Sequence, residues 1–460
     1  MIAMTLAAAS RAMQGVLHTP AGASVGRRRF RGVSTDTRQL QAGELFIALR
    51  GPRFDAHTLI DEAQRRGAVA AVVEREVASA LPSIEVDHTR TALGRLAAVW
   101  REQHALSVIA VTGSNGKTTV KDMLAAIFGH AGPVLATRGN LNNDIGVPLT
   151  LFQLAPEHRC AVIEMGANHA GEIANLCRIA RPTAALITVC APAHLEGFGS
   201  VEGVARAKGE IISGTAADGV VVLNADDPYF PLWRELAQGR RLVRFGLQAP
   251  AEVTAVMRGE ASSGIGSRFD LRLPGAAADV RLPLPGRHNV MNALAAAACA
   301  WALGQDVQAI RAGLENVRPA HGRLEIVPGL CGTVIDDSYN ANPASLQAAL
   351  EVLRLQPGEH WLVLGDMGEL GAESETQHRT AGRMARASGV SRFYGIGPLT
   401  RLAVEEFGSG ARHFENYTDL ISALCAELPE NMTVLVKGSR AMHMETIVRA
   451  IAAPGMASKA

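Results

Sequence analysis

The 460-residue chain reads as an α/β protein of three domains. Two observations predict this. Short β-branched runs recur at 107–111, 161–163, 184–189, 220–223, 333–335, 362–364 and 434–436. Longer Ala/Leu/Arg stretches with helical spacing, such as 120–128 and 346–353, lie between many of them. Strands alternating with crossover helices build parallel sheets. Residues 251–285 break the pattern. They are rich in Gly, Pro and Ser, with alternating runs such as Phe269-Asp270-Leu271-Arg272-Leu273, and predict a small antiparallel excursion. Soft boundaries near 81–89 and 317–321 divide the chain into 1–85, 86–317 and 318–460.

Composition narrows the function classes. Apolar residues make up 48 % and charged residues 19 %, enough for globular cores. Lys plus Arg number 45 against 44 for Asp plus Glu, so no charge surplus points to nucleic acid. The six cysteines form no CxxC pair and no metal-ligand spacing, and most sit in apolar runs; reduced core thiols in a reducing compartment are expected. Residues 1–17 are Ala-rich but lack a basic start and an unbroken apolar run. A short amphipathic helix is expected there rather than a signal peptide. No stretch approaches the ~18 apolar residues of a membrane span. A soluble, cytoplasmic chain without membrane insertion is expected.

The strongest chemical signal is Val111-Thr112-Gly113-Ser114-Asn115-Gly116-Lys117-Thr118-Thr119. An apolar strand enters a Gly-containing loop and a helical run succeeds it, which turns backbone N–H groups towards phosphates. In this reading Lys117 bridges the β- and γ-phosphates of a nucleotide and Thr118 ligates Mg²⁺. Val111 stands where the generic pattern has its first glycine. Phosphoryl transfer also needs an acidic metal ligand after a neighbouring strand. Glu164, directly after Ala161-Val162-Ile163, suits that role, although an acid there is also an ordinary strand terminus.

Together with segments further along the chain, this loop resembles that of the Mur ligase family, whose variant lacks the same glycine. Gly139-Asn140-Leu141-Asn142-Asn143-Asp144 resembles the family's substrate loop, with Asn140 and Asn143 as contacts. Glu164-Met165-Gly166 resembles its acidic metal strand, and Ala193-His194-Leu195-Glu196-Gly197 its histidine segment. Lys208-Gly209-Glu210 matches the place where the family carries a carbamylated lysine. Alone, His194 is an ordinary loop histidine and Lys208 a solvated helix lysine. An ammonium has no acceptor, whereas a carbamate offers carboxylate-like oxygens to Mg²⁺. Gly286-Arg287-His288-Asn289-Val290-Met291-Asn292 resembles the adenine-contacting helix start, through Asn289 and Asn292, though an Asn there also suits capping. His321-Gly322-Arg323 resembles the segment whose arginine reaches the γ-phosphate. Asp336-Asp337-Ser338-Tyr339-Asn340 resembles the family's ribose-binding turn, with Asp336 as the acid; Tyr339, Asn340 and Asn342 are candidate substrate contacts by position only.

Within the family, the first domain resembles the uridine-binding domain of ligases that act on longer muramoyl peptides. The matching residues are Ser34, Thr35, Asp36 and Arg38, then Phe46, then Asp55 and His57. The Asp-Asn-Pro-Arg signature of diaminopimelate- or lysine-adding members is absent. Gly365-Asp366-Met367-Gly368-Glu369-Leu370-Gly371 and Lys437-Gly438-Ser439-Arg440 resemble members that add D-alanyl-D-alanine. The resemblance implies a uridine-binding domain, a central P-loop ATPase-like parallel sheet and a C-terminal Rossmann-like domain. It implies a monomeric ATP- and Mg²⁺-dependent ligase that joins D-alanyl-D-alanine to UDP-N-acetylmuramoyl-tripeptide through an acyl phosphate. Lys117, Glu164, His194, carbamylated Lys208 and Arg323 would be catalytic. The alternatives are a sibling ligase adding diaminopimelate or lysine, a folylpolyglutamate-synthase-like enzyme, and a P-loop switch that ligates nothing.

Overall fold

The structure, a computed structural model, describes residues 1–19, 25–77, 79–260 and 266–453. The expected alternation yields three main sheets. The first contains the strands Val16–His18, Ser83–Glu85, Ala70–Val73, Leu45–Ile47 and Val33–Ser34 in that order, parallel apart from the first pair. The helix expected over 1–17 covers only Leu6–Met13, with strands Ala3–Thr5 and Val16–His18 on either side. Local chemistry sets these ends. The Thr5 hydroxyl accepts from the Ala8 N–H, and Gln14 takes a left-handed φ of 60° that turns the chain out of the helix. Leu6, Ala9 and Met13 fall on one face and are buried.

The central sheet is wholly parallel, in the order Val134–Ala136, Cys160–Glu164, Ser107–Thr112, Ala184–Ile187, Val220–Asn224, Arg241–Phe245. Its inner strands are buried on both faces, as helices on both sides require. The strand order reverses beside Ser107–Thr112, which opens a crevice at the carboxyl ends of the strands. The Ala-rich helix Arg287–Ala302 packs against the helix Lys117–Gly129, and its small buried side chains permit close approach. The excursion at 251–285 is a three-stranded antiparallel sheet of Thr254–Glu260, Ser267–Leu273 and Ala276–Leu282, with 261–265 outside the described residues. Phe269, Leu271 and Leu273 point inwards, while Arg268, Asp270 and Arg272 alternate outwards.

The third sheet runs Glu325–Pro328, Gly332–Asp337, Met432–Lys437, Glu359–Gly365, Arg392–Ile396, Ala411–Phe414, with only the first pair antiparallel. The helix Thr89–Glu102 buries Leu93, Leu96 and Ala97 in a core that runs from Ile2 and Phe30 to Val108 and Ala161. The first two units therefore share apolar packing, whereas the third keeps cores of its own. Cys160, Cys177, Cys190 and Cys299 are buried, Cys331 is half-buried and Cys425 is exposed. Among the described residues, no helix is long and apolar enough to cross a membrane.

Candidate active site

The phosphate loop is shaped by backbone demands. After the strand Ser107–Thr112, Gly113 has φ 146°, and a Cβ there would lie 1.9 Å from Thr188 Oγ1. Gly116 has φ 81° and starts the helix Lys117–Gly129; its Cβ would lie 2.3 Å from Asn292 Oδ1. Only glycine fits either position. The neighbouring chain braces the loop. The Ser114 N–H donates to Val189 O (2.8 Å), and the Thr188 hydroxyl donates to Asn115 O (2.6 Å). The result is a helix N-terminus presented to a cavity, a favourable seat for an anion.

Lys117 Nζ donates to Gly113 O (2.7 Å) and Ser114 O (3.3 Å), so the ammonium is held over the loop. Burial pushes its pKa down. The Thr118 hydroxyl donates to Glu164 Oε2 and the Asn142 amide to Glu164 Oε1, each at 2.9 Å. Glu164 is the last residue of its strand and is 2 % exposed. A hydroxyl and a carboxylate side by side form a hard oxygen donor set that fits Mg²⁺.

These groups border a cavity of about 950 Å³ between the central and third units. Of the residues expected from the sequence, Ser114 to Thr119, Asn140, Asn143, Glu164, His194, Asn289, Asn292, Arg323, Tyr339 and Asn340 all border it. Asn289 lies within the helix Arg287–Ala302, which Gly286 caps, so capping does not explain it. Its Nδ2 donates to Pro285 O, and its Oδ1 accepts from Asn292. The Arg323 guanidinium sits over the Tyr339 ring at 4.2 Å, and Arg440 approaches the same ring at 5.8 Å.

His194 has a left-handed φ of 53°, and its Nδ1 lies 2.5 Å from Glu369 Oε2 of the third unit. The approach is bent and leaves the ring nitrogen without a well-directed hydrogen bond. Lys208 does not border the cavity. It is 1 % exposed on the helix Val201–Ser213, with Nζ 5.7 Å from the centre of the Phe198 ring. His194 packs edge-on against the same ring. Burial, reinforced by the charge of Lys117, pulls the Lys208 amine down to about 7. The reading of Lys208 alone as a solvated lysine is thus overturned.

Several expected contacts are placed elsewhere. Gly113 does not border the cavity and serves through its backbone. Asp336 is 1 % exposed and turned away from the cavity; alternation along its strand brings Asp337 there instead. Asp337 pairs with Lys437 at 2.5 Å, and Lys437 also donates to Asn340 O (2.9 Å). Among the described residues, only His321, Glu325 and Asp336 bring three His, Asp or Glu ligand atoms within 4.8 Å of one another.

In the first unit, Phe46 is fully buried beside Ala63 and Val73, so it is a core residue rather than a substrate contact. His57 is buried too. Its Nδ1 meets Asp55 Oδ1 at 2.5 Å and its Nε2 accepts from the Glu74 N–H at 2.8 Å. Both ring nitrogens are spent inside the fold, as is much of Asp55, which also pairs with Arg75. Ser34, Thr35, Asp36 and Arg38 form a turn away from the cavity. Ser34 Oγ donates to Asp36 O, and an exposed Arg38 pairs with Asp36 at 2.7 Å.

Sequence reasoning passed over Asn142, Asp337, Glu369 and Lys437 as site residues, although each lies within a quoted motif. Asp366 in the Gly365–Gly371 stretch is structural, accepting from the Leu399 and Thr400 N–H groups.

Comparison with known proteins agrees with this geometry. Sequence profiles described as "Mur ligase family, catalytic domain", "Mur ligase middle domain" and "Mur ligase, glutamate ligase domain" match residues 29–101, 111–300 and 322–440. The UDP-N-acetylmuramoyl-tripeptide–D-alanyl-D-alanine ligase of Escherichia coli (strain K12) is 48 % identical over 423 residues, covering 91 % of this chain and 93 % of that one. Its Bacillus subtilis (strain 168) counterpart is 37 % identical over 432 residues, covering 91 % and 92 %. A crystal structure of MurF from Acinetobacter baumannii superposes with a TM-score of 0.92 at 38 % identity, covering 98 % of both chains. That of MurF ligase from Thermotoga maritima, in complex with ADP, gives 0.82 at 28 % identity, covering 91 % of this chain and 96 % of that one. With its three α/β units and the family's sequence along most of its length, the chain belongs to the Mur ligase family.

Proposed function

We propose that the chain joins D-alanyl-D-alanine to UDP-N-acetylmuramoyl-tripeptide with cleavage of ATP to ADP and phosphate, as a cytoplasmic monomer making UDP-N-acetylmuramoyl-pentapeptide. One observation carries the reading. A phosphate loop on the central unit faces Arg323, Asp337 and Lys437 of the third across one cavity. Identity to the E. coli ligase supports the choice of amine. We take the domains as 1–85, 86–317 and 318–460, with the first holding the uridine end of the precursor through the Ser34–Arg38 turn.

A carboxylate is a poor electrophile, so it must first be activated. The precursor's terminal carboxylate attacks the γ-phosphorus and ADP leaves. The dipeptide amine then attacks the acyl carbon, phosphate leaves, and the amine's surplus proton passes to solvent. Both anions must be neutralised for the first step. Lys117 exchanges its loop carbonyls for phosphate oxygens, and Arg323 adds charge from the Tyr339 face. Asp337, rather than Asp336, takes the ribose. Thr118, Glu164 and His194 would hold Mg²⁺, which supplies further charge neutralisation when bound. Lys208 would join them as a carbamate. Its buried amine, held down to about 7, is about half unprotonated at neutral pH, and that fraction is nucleophilic towards carbon dioxide.

The test is ATP-dependent phosphate release with UDP-muramoyl-tripeptide and D-alanyl-D-alanine, lysine, diaminopimelate or no amine. Release that requires the dipeptide, with a pentapeptide product by mass, supports the proposal. Release with a diamino acid on the dipeptide precursor moves the assignment to the sibling ligase. Release without an amine favours a switch.

A further inference from the structure

Among the described residues, Asn115 is the one side chain of the phosphate loop that hydrogen-bonds to the third unit. Its Oδ1 accepts from Asn342 Nδ2 at 2.8 Å, and its Nδ2 donates to Asn342 Oδ1 at 3.4 Å. The two residues are 227 positions apart and both border the cavity. A primary amide carries both donor and acceptor, so two amides face to face satisfy each other. Neither end of the pair is loose. The Asn115 carbonyl is held by the Thr188 hydroxyl at 2.6 Å. Asn342 caps the helix Pro343–Arg354; its Oδ1 accepts from the Ser345 N–H (2.9 Å) and its own N–H donates to Ser345 Oγ (3.0 Å).

We infer that Asn115 and Asn342 are a positioning pair, an amide clasp that fixes the third unit against the phosphate loop. Asn115 acts through this pairing, which engages both the oxygen and the nitrogen of its side chain. The clasp holds the cap of Pro343–Arg354, and with it the turn 337–342 that carries Asp337 and Tyr339, at one distance from the loop. Arg323 lies on that Tyr339 ring. The clasp thus sets how far the third unit's cation stands from the phosphates. The kinetic part of this inference rests on residues 113–119 being the nucleotide site.

The test uses the full chain with Asn115→Ala, Asn342→Ser and the double variant. Serine keeps the helix cap but is too short to reach Asn115. The first readout is hydrogen exchange without nucleotide. Asn115→Ala should raise exchange over 340–346, and Asn342→Ser should raise it over 113–119, at an unchanged melting temperature. The second is kinetic. Each single variant should lower kcat by about tenfold, the scale of one or two lost hydrogen bonds, while KM for ATP moves less than about twofold. The double variant should be no worse than the weaker single, because both remove one interaction. Exchange changes confined to the mutated residue's own segment, or a double variant whose loss is the product of the singles, would overturn the clasp. If the wild type fails to join the dipeptide, the proposed function falls, and the exchange arm still decides the clasp.

Discussion

Lys208→Met should make the protein more stable and inactive. Among the described residues no carboxylate pairs with the Lys208 amine, which lies 1 % exposed beside Phe198. An unfolded lysine keeps its proton up to 10.5, whereas this one gives it up near about 7. Between those values the unfolded chain binds more protons, so stability rises with pH across the window. The penalty on folding is roughly 5 kcal/mol below pH 7, roughly 3 kcal/mol at pH 8, and gone above the unfolded value. Methionine keeps most of the stem and drops the charge, at up to about 1 kcal/mol of lost packing. A net gain of about 2 kcal/mol at pH 8 should raise the melting temperature by roughly 2–3 °C. Melting would be measured in EDTA and carbon-dioxide-depleted buffer at pH 6.5, 8 and 9.5, with turnover alongside. The gap between variant and wild type should shrink as pH rises. A variant that melts at or below wild type at all three pH values would show that Lys208 is not buried as an unpaired amine.

The geometry sets three further outcomes. Phe46→Ala should cost about 3–5 kcal/mol in a denaturant titration, because it empties a fully buried site, while the precursor affinity of the folded fraction stays unchanged. Weaker precursor binding at unchanged stability would restore Phe46 as a contact. Lys117→Ala should lower turnover by roughly 10³-fold yet leave precursor binding by calorimetry within about twofold; loss of both would mark a folding defect. Burial pushes the His288 ring down to about 4, so it folds neutral. The unfolded ring gains its proton near 6.5, so stability should fall from that pH towards 4, by no more than about 3 kcal/mol. His288→Gln should flatten that slope in urea titrations, and an unchanged slope would place its cause elsewhere.

Much of this protein is written locally. The buried parallel strands announce themselves as β-branched runs, because both faces must be apolar. The phosphate loop is legible because its glycines answer a backbone requirement at Gly113 and Gly116 that no other residue meets. The cap of Pro343–Arg354 and the alternation of Phe269, Leu271 and Leu273 are equally local. Direction and burial of single side chains are different. Ser34–Arg38 and Asp55–His57 have the composition of a binding surface, yet His57 spends both nitrogens inside the fold and Phe46 fills a core. Asp336 and Asp337 are indistinguishable in composition, and only the pleat of their strand decides that Asp337 meets the cavity. The contacts that join the central and third units, Asn115 with Asn342 and His194 with Glu369, link positions far apart in the chain, and no local pattern encodes them. The sequence by itself determined the elements, the phosphate loop and the family. Only the tertiary structure decided which polar groups face the cavity, because that depends on what packs against their other side.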